Sequence, residues 1–439
     1  MLIRFRVSNF LSYKEEIEFS MIPGKSRKHP EHKVSGGNSR HSTDLLRCSI
    51  IYGANASGKS NLAKALSFMQ DLVVDGTKIN QSIQVKTFKL DRAYSDKSSR
   101  FEVEIRIDGK DYLYGFEITT KCVVSEWLYQ VKLTTQDELF ERHTTSDDTV
   151  VVTFGSSIPK ADRNQEFLDF IAKGTRPNQL YLTECAEKNV PVFRPVYQWF
   201  SDTLTIVFPE AYVRIYEKVI DIWADFLMKF DTGICGVSLR PVEIGNKLSN
   251  SAQQNLQKSL SDKIKEETQV DLKSPKGERI VVTLEDGNLV ARELVFRHKS
   301  INCDTEIDFN LTEESEGTKR LIDLLPILYT EVSEEQVYVF DELDRSLHPS
   351  LCYELIELFL AQSNNHIQLI ATTHESNLLD LNLLRRDEIW FIEKDQTGAS
   401  KVYSLEEFTP RYDKDIKKGY LLGRFGAIPI LGNVKLGKG

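Results

Sequence analysis

The sequence predicts an α/β fold in which a strand, a glycine-rich turn and a helix are combined with an antiparallel β meander and a helical insertion. Residues 45–52 form a short apolar run that ends at Gly53, and residues 61–74 carry apolar side chains at helical spacing. Residues 83–154 alternate between apolar and polar side chains, which is typical of antiparallel strands. Across residues 161–230 the apolar spacing is helical again, which predicts the insertion.

The composition is that of a globular protein without a membrane anchor. The chain has 439 residues, which is enough for two or three structural units. No apolar run reaches the roughly 20 residues of a membrane-spanning helix, and the first residues lack the apolar core of a signal peptide. The formal net charge of -9 disfavours a general nucleic-acid-binding surface but allows a local basic patch. We therefore expect a cytoplasmic protein with no membrane partner.

We expect three segments along the chain. Residues 1–160 contain an opening strand pair, the glycine-rich turn and the meander. A polar loop at residues 23–44 has basic side chains that could contact phosphates, although a solvated mobile loop is the simpler interpretation. Residues 161–278 form the helical insertion and end in a polar stretch that predicts an exposed helix and a linker. Residues 279–439 begin with a hairpin and carry the remaining motifs.

The glycine-rich turn matches the phosphate-binding P-loop pattern G-x-x-x-x-G-K-[ST] at residues 53–60. In such a turn, backbone N–H groups at the start of a helix surround phosphate oxygens, and glycine permits the close approach. We expect Lys59 to reach the β and γ phosphates of ATP, and the Ser60 hydroxyl to bind Mg²⁺. The candidate nucleotide-binding residues are Gly53, Asn55, Ser57, Gly58, Lys59, Ser60 and Asn61.

Two adjacent carboxylates follow a second apolar run. Gln336–Phe340 has the length of a buried parallel strand and ends at Asp341 and Glu342. Ligands bind at the carboxyl edge of a parallel sheet, so both side chains are expected to face the bound nucleotide. Asp341 is the second candidate magnesium ligand, acting through water. Glu342 is the candidate catalytic base that orients or deprotonates the attacking water.

A histidine follows a third apolar run in the same way. Residues 367–373 predict another buried strand, and His374 comes directly after it. By the same rule for parallel sheets, we expect His374 at the nucleotide edge. Its imidazole could contact the γ phosphate, which makes it the second candidate catalytic residue.

A capped helix is predicted at residues 315–329. Ser315 is a suitable N-cap, and the segment Ser-Glu-Gly-Thr precedes a run with helical spacing. A helix N-terminus with a serine and a glycine also binds anions. Ser315 and Gly317 could therefore contact a phosphate presented by another subunit.

The chain resembles the ABC-type ATPase heads of the structural-maintenance-of-chromosomes, RecF and OLD-nuclease class. The resemblance lies in four motifs in this order: the P-loop, the Ser-Glu-Gly-Thr helix, VYVFDE and TTHES. The opening segment Ser-Asn-Phe-Leu-Ser at residues 8–12 resembles that class as well. The segments DELDRSLHP, FDTGI and GYLLGRFGAIPIL are similar to the RloA/AbiLi-like predicted ATPases, and this resemblance covers nearly the whole chain. It implies an α/β P-loop NTPase fold of the ABC-ATPase head type.

The resemblance also implies roles for individual residues. Ser315 and Gly317 would complete the ATP site of a second head, which implies a homodimer that sandwiches ATP. Residues 345–348 would lie in the loop that crosses the dimer interface, and His374 would be the switch histidine. Glu342 would be the catalytic base.

The sequence departs from the class in two places. The usual signature Leu-Ser-Gly-Gly-Gln reads Glu-Ser-Glu-Gly-Thr at residues 314–318, which places acidic groups near the expected phosphate contact. Hydrolysis is therefore expected to be slow or regulated. The glutamine that usually follows the P-loop and senses magnesium has two candidates here, Gln81 and Gln84, and its position stays open.

The resemblance favours an ATP-hydrolysing sensor or regulator in a bacterial anti-phage, abortive-infection module. In such modules the ATPase acts with a separately encoded effector, often a nuclease or a toxin. Only 65 residues follow His374, which is short for an appended nuclease domain, so we expect the effector on another chain.

Three alternatives remain open at this point. The first is a RecF-like or SMC-like ATPase that binds DNA in repair or maintenance, against which the acidic charge and the missing coiled coil weigh. The second is a scaffold that binds ATP without turnover, and Glu342 argues against it. A transporter ATPase subunit is the weakest alternative, because the meander has no evident role in coupling to a membrane domain.

Overall fold

The computed structural model describes residues 1–36, 43–156, 158, 164–209, 220–243, 270–273, 278–285, 288–301, 305–328, 335–362, 366–408 and 415–429. The α-helices in these ranges are α1 (Lys59–Val74), α2 (Gln165–Gly174), α3 (Tyr181–Glu187), α4 (Arg194–Gln198), α5 (Ile220–Lys229), α6 (Glu316–Leu324), α7 (Pro349–Ala361) and α8 (Ile416–Leu421).

The strands are β1 (Leu2–Ser8), β2 (Ile17–Ser20), β3 (Lys33–Val34), β4 (Leu45–Leu46), β5 (Cys48–Gly53), β6 (Ser99–Ile107), β7 (Lys110–Ile118), β8 (Val123–Val131), β9 (Gln136–Thr144), β10 (Val150–Phe154), β11 (Leu204–Val207), β12 (Ile234–Val242), β13 (Val270–Lys273), β14 (Arg279–Glu285), β15 (Asn288–Lys299), β16 (Glu306–Asn310), β17 (Gln336–Phe340), β18 (Ile367–Thr372), β19 (Ile389–Lys394) and β20 (Ser400–Ser404).

A six-stranded sheet has the strand order β11-β17-β18-β5-β19-β20. The strands from β11 to β19 are parallel to one another, and β20 pairs antiparallel with β19. Every residue of β5 and β18 is buried, because both strands lie inside the sheet with their faces covered. The strands predicted at β5, β17 and β18 are thus confirmed. Their carboxyl ends share one edge, where the motif residues follow.

A second sheet is antiparallel and has seven strands, in the order β10-β9-β8-β7-β6-β1-β2. It confirms the predicted opening strand pair and the meander. Strand β9 departs from the period of two within the predicted meander, because Leu139 and Phe140 are adjacent apolar residues. Both are buried, since the pairing of β8 with β9 shifts register after Leu128 and one extra residue is accommodated in the ladder.

The two sheets and helix α1 share one hydrophobic core. Helix α1 contributes Leu62, Leu66, Met69 and Val73, which recur at helical spacing on one face. The fully buried side chain of Gln368 connects the sheets. Its Oε1 accepts a hydrogen bond from the Leu2 N–H at 2.8 Å, and its Nε2 donates to the carbonyls of Leu2 and Leu46. All polar atoms of this buried amide are thereby satisfied.

The chain divides into two compact units. Unit 1 contains residues 1–209, 331–343 and 356–439, and unit 2 contains residues 210–330 and 344–355. In unit 2, strands β12-β15-β14-β13 form a sheet to which β16 adds by pairing with β15. The three-segment division made from the sequence stays a prediction, and its boundaries after residues 160 and 278 fall within these units.

Three expectations about local structure were wrong in part. The region predicted as helical contains α2, α3, α4 and α5, but also β11, a core strand of four residues that is too short to show a period. Most of the polar stretch at 246–278 lies outside the described residues, and of the part that is described, residues 270–273 form strand β13. The loop at 23–44 is not uniformly exposed, because His32 is 4% exposed and β3 pairs with β4.

Among the helices that the structure describes, none is both long enough and apolar enough to cross a membrane.

Candidate functional site

The P-loop connects the central strand β5 to helix α1. Strand β5 ends at Gly53, and α1 begins at Lys59 with Gly58 as its N-cap in a left-handed conformation, φ 112°. Ala56 also has a positive φ of 63°. These angles turn the chain sharply from the sheet edge into the first turn of the helix, a position whose backbone N–H groups can bind an anion. The local structure predicted for this segment is confirmed.

Both glycines of the pattern are required by space. A Cβ atom on Gly53 would lie 2.4 Å from the carbonyl oxygen of Ile392 and 2.5 Å from Ser57 Oγ. A Cβ atom on Gly58 would lie 2.4 Å from Ser400 Oγ, in addition to the strain of its backbone angle. The turn therefore keeps its shape only with glycine at these two positions.

The polar atoms inside the turn fit an anion. Lys59 is 6% exposed, and its Nζ donates hydrogen bonds to the carbonyls of Gly53 and Ala54 at 2.7 and 3.1 Å. The buried Ser57 Oγ finds no hydrogen-bond partner among the described residues. A buried hydroxyl without a partner is costly, and a phosphate oxygen in the turn would satisfy it. Ser60 and Asn61 are half-buried in the first turn of α1, and Asn55 is exposed.

Hydroxyl groups from distant parts of the chain form hydrogen bonds that support the P-loop. Ser400 Oγ donates to the Ser57 carbonyl at 2.6 Å and contacts Ser12 Oγ at 2.8 Å. Asn61 Nδ2 also donates to Ser12 Oγ, at 2.7 Å. Ser12 belongs to the opening segment that follows β1, and Ser400 is the first residue of β20. The P-loop is thus held between the two sheets of unit 1.

The carboxylate pair lies just beyond strand β17. Asp341 is 3% exposed, and its Oδ1 accepts a hydrogen bond from Thr372 Oγ1 at 2.7 Å. The same Thr372 oxygen accepts a hydrogen bond from the Glu342 N–H at 2.8 Å. The Leu343 N–H donates to the Thr372 carbonyl at 2.9 Å. One threonine at the end of β18 therefore orients the turn that carries both carboxylates.

Glu342 has an unusual backbone conformation. Its φ of 52° is in the left-handed region, which costs an acidic residue on the order of 1 kcal/mol. The hydrogen bond from its N–H to Thr372 holds this conformation. The catalytic role of Glu342 stays a prediction, since other non-glycine residues of the chain, such as Asp108, also have a positive φ.

The strand registers bring the P-loop and the carboxylate pair to the same sheet edge. Phe340 pairs with Ala371, and Ala371 pairs with Ile50, so Asp341 is level with the residues just before Gly53. Only β18 lies between β17 and β5, and neighbouring strands are about 4.8 Å apart, which separates the two motifs by roughly 10 Å. A phosphate in the turn and a metal ion beside Asp341 would fit across this distance.

Tyr13 provides a second link between the two motifs. It is fully buried, and its hydroxyl donates to the Gly58 carbonyl at 2.8 Å. Burial, and secondarily the negative charge of Asp341, raises the pKa of Tyr13 well above its ordinary value. The hydroxyl therefore remains a protonated donor to the P-loop backbone at any physiological pH.

His374 follows β18 at the same edge and is exposed. Its neighbour Thr373 is buried and donates its N–H to the Ile51 carbonyl at 3.0 Å, which fixes the chain where it leaves the strand. Gln81 and Gln84, the two candidates for the magnesium-sensing glutamine, are both exposed, and Gln84 Nε2 donates to the carbonyl and the hydroxyl of Ser82. The position of this glutamine stays open.

The signature residues lie in unit 2. Ser315 is the N-cap of α6, and its Oγ accepts a hydrogen bond from the Thr318 N–H at 3.1 Å, as predicted. Gly317 lies in the first turn of α6, where a Cβ atom would be 2.9 Å from the Ser346 carbonyl oxygen. Ser346 has a φ of 62° and belongs to the loop expected at the dimer interface. Within this unit, the signature helix and that loop are in contact.

The acidic residues of the signature point in different directions. The Glu314 side chain is 6% exposed, and its Oε1 contacts His298 Nε2 at 2.8 Å. The Glu316 side chain is 77% exposed and pairs with Lys319. Glu314 is therefore turned toward the interior of unit 2, and Glu316 is the acidic group beside the exposed start of α6.

A cavity of about 900 Å³ lies next to β19 and β20 but does not suit a triphosphate. Carboxylates dominate its charged lining and would repel phosphate groups, whereas only two cationic side chains line it. The carboxylates are Glu15, Glu16, Glu18, Glu393, Asp395 and Glu407, and the cations are Lys401 and Arg424.

Sequence reasoning missed four residues that shape the site. Ser12 is the last residue of the segment 8–12 that had been noted for its resemblance, and Tyr13 follows it directly, but no role was assigned to either residue. Thr372 was included in a predicted strand without a function, although a hydroxyl at the end of a core strand is a usable signal. Ser400 lies far along the chain in a short strand, and nothing in its neighbourhood singles it out.

This chain is similar to known proteins in its sequence and in its fold. The family described as "AAA domain, putative AbiEii toxin, Type IV TA system" matches residues 48–226 and 238–380, well over half of the sequence. The matched ranges include the P-loop, the signature residues, the carboxylate pair and His374. No curated protein sequence matches the chain.

Two solved structures are similar along nearly their entire length. The SMC head domain from Thermotoga maritima is 15% identical, with 92% of this chain and 98% of that chain covered and a TM-score of 0.36. The SmcHead bound to the C-winged helix domain of ScpA is 13% identical, with 92% and 97% covered and a TM-score of 0.41.

Proposed function

The chain belongs to this AAA domain family, and from that membership we propose that it is an ATP-hydrolysing sensor or regulator subunit of a bacterial anti-phage, abortive-infection module. It acts with a separately encoded effector, which is a nuclease or a toxin. The observation that supports the ATPase activity best is the geometry at one sheet edge, where a P-loop with a buried lysine lies across from two carboxylates oriented by Thr372.

Nucleotide binding relies on the backbone of residues 53–61. The N–H groups at the start of α1 and the ammonium group of Lys59 surround the β and γ phosphates. On binding, Lys59 exchanges its hydrogen bonds to the Gly53 and Ala54 carbonyls for phosphate oxygens, and Ser57 Oγ gains a partner. Asn55 and Asn61 complete the contact surface. The support from Ser12 and Ser400 keeps the turn in shape before the nucleotide arrives.

Hydrolysis relies on the carboxylate pair. Mg²⁺, held by Ser60 and through water by Asp341, would neutralise charge on the β and γ phosphates. Glu342 orients the attacking water and accepts its proton, and the Thr372 hydrogen bond keeps the carboxylate-bearing turn in place. His374, at the end of the neighbouring strand, contacts the γ phosphate. The oxygen of the water forms a bond to the γ phosphorus, and the bond between the γ phosphate and ADP breaks. Glu342 accepts the proton of the water, so no further reactant is needed.

We also propose that two chains close head to tail around ATP. Ser315 and Gly317 then present the N-terminus of α6 to the nucleotide of the partner subunit, where the helix dipole favours a phosphate. The exposed carboxylate of Glu316 lies beside this helix start and would oppose a close approach of the γ phosphate. This charge would make closure of the dimer slow or regulated. Such closure suits a sensor better than an enzyme that hydrolyses ATP continuously.

The defence role rests on the family and on the more specific resemblance to RloA/AbiLi-like ATPases. Nucleotide binding shifts the population between an open pair of subunits and a closed dimer, and the effector is held or released according to which form dominates. This requires that the effector bind the two forms with different affinities.

A phage-challenge experiment tests the role. Bacteria that express the protein together with its neighbouring gene are infected, and plaque formation is compared with cells that carry either gene alone. We expect protection only from the pair, and its loss in Lys59→Ala. Lys173→Ala, at the exposed end of α2, removes one lysine elsewhere and serves as the control.

Two outcomes would contradict this role. Protection that persists with Lys59→Ala would separate defence from nucleotide binding. Tight, salt-dependent binding of duplex DNA by the purified protein alone, without affinity for the neighbouring gene product, would favour the DNA-maintenance alternative instead.

A further inference from the structure

Three potential metal ligands converge in the loop between β2 and β3. Within the described residues, His29, Glu31 and His32 have ligand atoms that all lie within 4.8 Å of one another. His29 Nδ1 is 3.3 Å from Glu31 Oε1, and His32 Nε2 is 3.7 Å from the same oxygen. Zinc bound tetrahedrally at about 2.0–2.1 Å holds neighbouring ligand atoms roughly 3.3–3.4 Å apart, which is close to the two distances that join the histidines to Glu31.

The outward ring nitrogens of both histidines are engaged by acceptors. His32 Nδ1 lies 3.1 Å from both oxygens of the Glu388 carboxylate, which is fully buried. His29 Nε2 lies 3.1 Å from the carbonyl oxygen of Leu381. A carbonyl oxygen can only accept, so His29 Nε2 carries the proton. Histidines that bind metals usually donate their second ring N–H to a carboxylate or a backbone carbonyl in this way.

These outer contacts determine whether the ring nitrogens that face Glu31 carry a proton or a lone pair. In the neutral tautomer that donates to Leu381, His29 Nδ1 has a lone pair, and the tautomer that donates to Glu388 leaves a lone pair on His32 Nε2. Both lone pairs then face the same carboxylate oxygen of Glu31, which also lacks a proton. Three electron-rich atoms at this distance repel one another unless one imidazole takes up a proton and donates it to Glu31, or a metal cation lies between them.

The surrounding loop is held rigidly. Arg385 is 1% exposed and forms an ion pair with Asp387 at 2.6 Å, and its guanidinium also donates to the carbonyls of Ser26, Lys28 and His29. The Arg47 N–H donates to the His32 carbonyl at 2.9 Å, which fixes the far end of the loop to the start of β5. The backbone of the loop is therefore ordered before a metal binds, which reduces the entropic cost of binding. The rings of His29 and His32 are stacked at an interplanar angle of 16°, so one ring must rotate to direct both nitrogens at one ion.

We propose that His29, Glu31 and His32 form a binding site for one Zn²⁺ ion. Two imidazoles and one carboxylate are ligands that zinc accepts, and the fourth position faces solvent beside the exposed side chain of Glu31. The ion would hold residues 29–32 of the loop together, and the contact between His32 and Glu388 joins this loop to the turn that carries Glu388. It lies at the start of β5, and the P-loop is at its end, about 16 Å away along the strand. The zinc site is therefore separate from the magnesium site at the nucleotide.

Zinc titration of the full chain tests the proposal. The tag-free protein is stripped of metal, supplied with excess Mg²⁺ and no nucleotide, and titrated with Zn²⁺ against a chromophoric chelator. We expect one zinc per chain, and an affinity that falls by more than about 10- to 100-fold in His29→Ala and in Glu31→Gln. His143→Ala, which removes an exposed histidine of β9, is the matched control and should bind zinc as the wild type does.

Thermal unfolding provides an independent measurement. Zinc should raise the apparent Tm of the wild type and of His143→Ala, and should leave the Tm of Glu31→Gln unchanged. Glu31 is largely exposed, so this variant is expected to fold even if a substitution at buried His32 does not. Failure of the wild type to bind zinc at micromolar free concentration would overturn the proposal. Equal zinc affinity in the wild type and both ligand variants would overturn it as well.

Discussion

The hydroxyl of Thr372 has two hydrogen bonds at the centre of the site. It donates to Asp341 Oδ1 and accepts from the Glu342 N–H, and all three residues are at the ends of neighbouring strands. A hydroxyl can serve as donor and acceptor at once, so a single side chain orients a candidate metal ligand and a candidate base. Thr372 does not contact the reacting atoms in this arrangement and acts as a positioning residue.

Thr372→Val tests this positioning. The change keeps the shape of the side chain but removes the hydrogen bonds of Thr372 to Asp341 and to the Glu342 N–H, which costs about 1–3 kcal/mol. We expect a lower urea midpoint and a kcat that falls by at least about tenfold, with little change in nucleotide affinity. Thr372→Ser retains the hydroxyl and should behave like the wild type. A kcat in the valine variant equal to that of the wild type would contradict the role.

Lys59→Ala tests nucleotide binding at the same scale. Lys59 is the buried cation inside the P-loop, and the alanine variant loses its charge-assisted hydrogen bonds to phosphate. Such bonds contribute about 1.5–3 kcal/mol each, so we expect ATP affinity to fall at least about 10- to 100-fold in a fluorescent-nucleotide titration. Lys173→Ala should bind normally. Retained affinity in Lys59→Ala would remove the basis of the nucleotide assignment.

At the scale of elements, the N-termini of two helices, α1 and α6, make the proposed phosphate contacts. Helix α1 begins after a turn with two positive φ angles, and glycine is required where the turn passes Ile392 and Ser400. Helix α6 begins after its N-cap Ser315 and packs Gly317 against the backbone of Ser346. In both cases a glycine allows a helix N-terminus to approach another segment closely, which a larger side chain would prevent.

Gly317→Ala tests the packing of α6 within unit 2. The added Cβ atom would lie 2.9 Å from the Ser346 carbonyl oxygen, and this backbone atom cannot move aside easily. We expect a loss of about 1–3 kcal/mol in the free energy of unfolding, measured in urea. Gly174→Ala at the end of α2 is the control, because no heavy atom lies within 4 Å of its Cβ position. Equal urea midpoints for the two variants would show that the loop containing Ser346 moves aside without a loss of stability.

At the scale of the whole molecule, the proposed ATP site is shared between two copies. Ser315 and Gly317 belong to unit 2, whereas the P-loop and Glu342 belong to unit 1. A head-to-tail pair would bring the α6 start of one copy to the P-loop of its partner. The association would then depend on ATP, since the triphosphate provides the charge that α6 binds.

Glu342→Gln tests the shared site. The amide cannot accept a proton from water, so hydrolysis should slow by about 100- to 10,000-fold while ATP remains bound. Light scattering after size exclusion should then report a dimer with ATP. The double variant Lys59→Ala/Glu342→Gln should stay monomeric, and Glu166→Gln on the surface of α2 should turn over normally. A monomeric mass of Glu342→Gln with saturating ATP would exclude the sandwich.

The sequence by itself determined the features that depend on contiguous residues. The P-loop, the capped start of α6 and the apolar strands before Asp341 and His374 were predicted with their neighbours, because their backbone geometry is set by local spacing and by glycine. The antiparallel meander was predicted for the same reason. Adjacent Leu139 and Phe140 interrupt the period of β9, and the register shift that accommodates them follows from the pairing of β8 with β9.

The tertiary structure decided which residues meet across large separations in the chain. Thr372 reaches Asp341 and Glu342 only because β17 and β18 are neighbours in the sheet, and Ser400 supports the P-loop across more than three hundred residues. The pairing of His32 with Glu388 is equally distant. Such contacts depend on strand order and register, which follow from how the core packs as a whole. A local pattern of apolar and polar residues indicates which face of a strand is buried, but it does not name the distant residue that lies opposite.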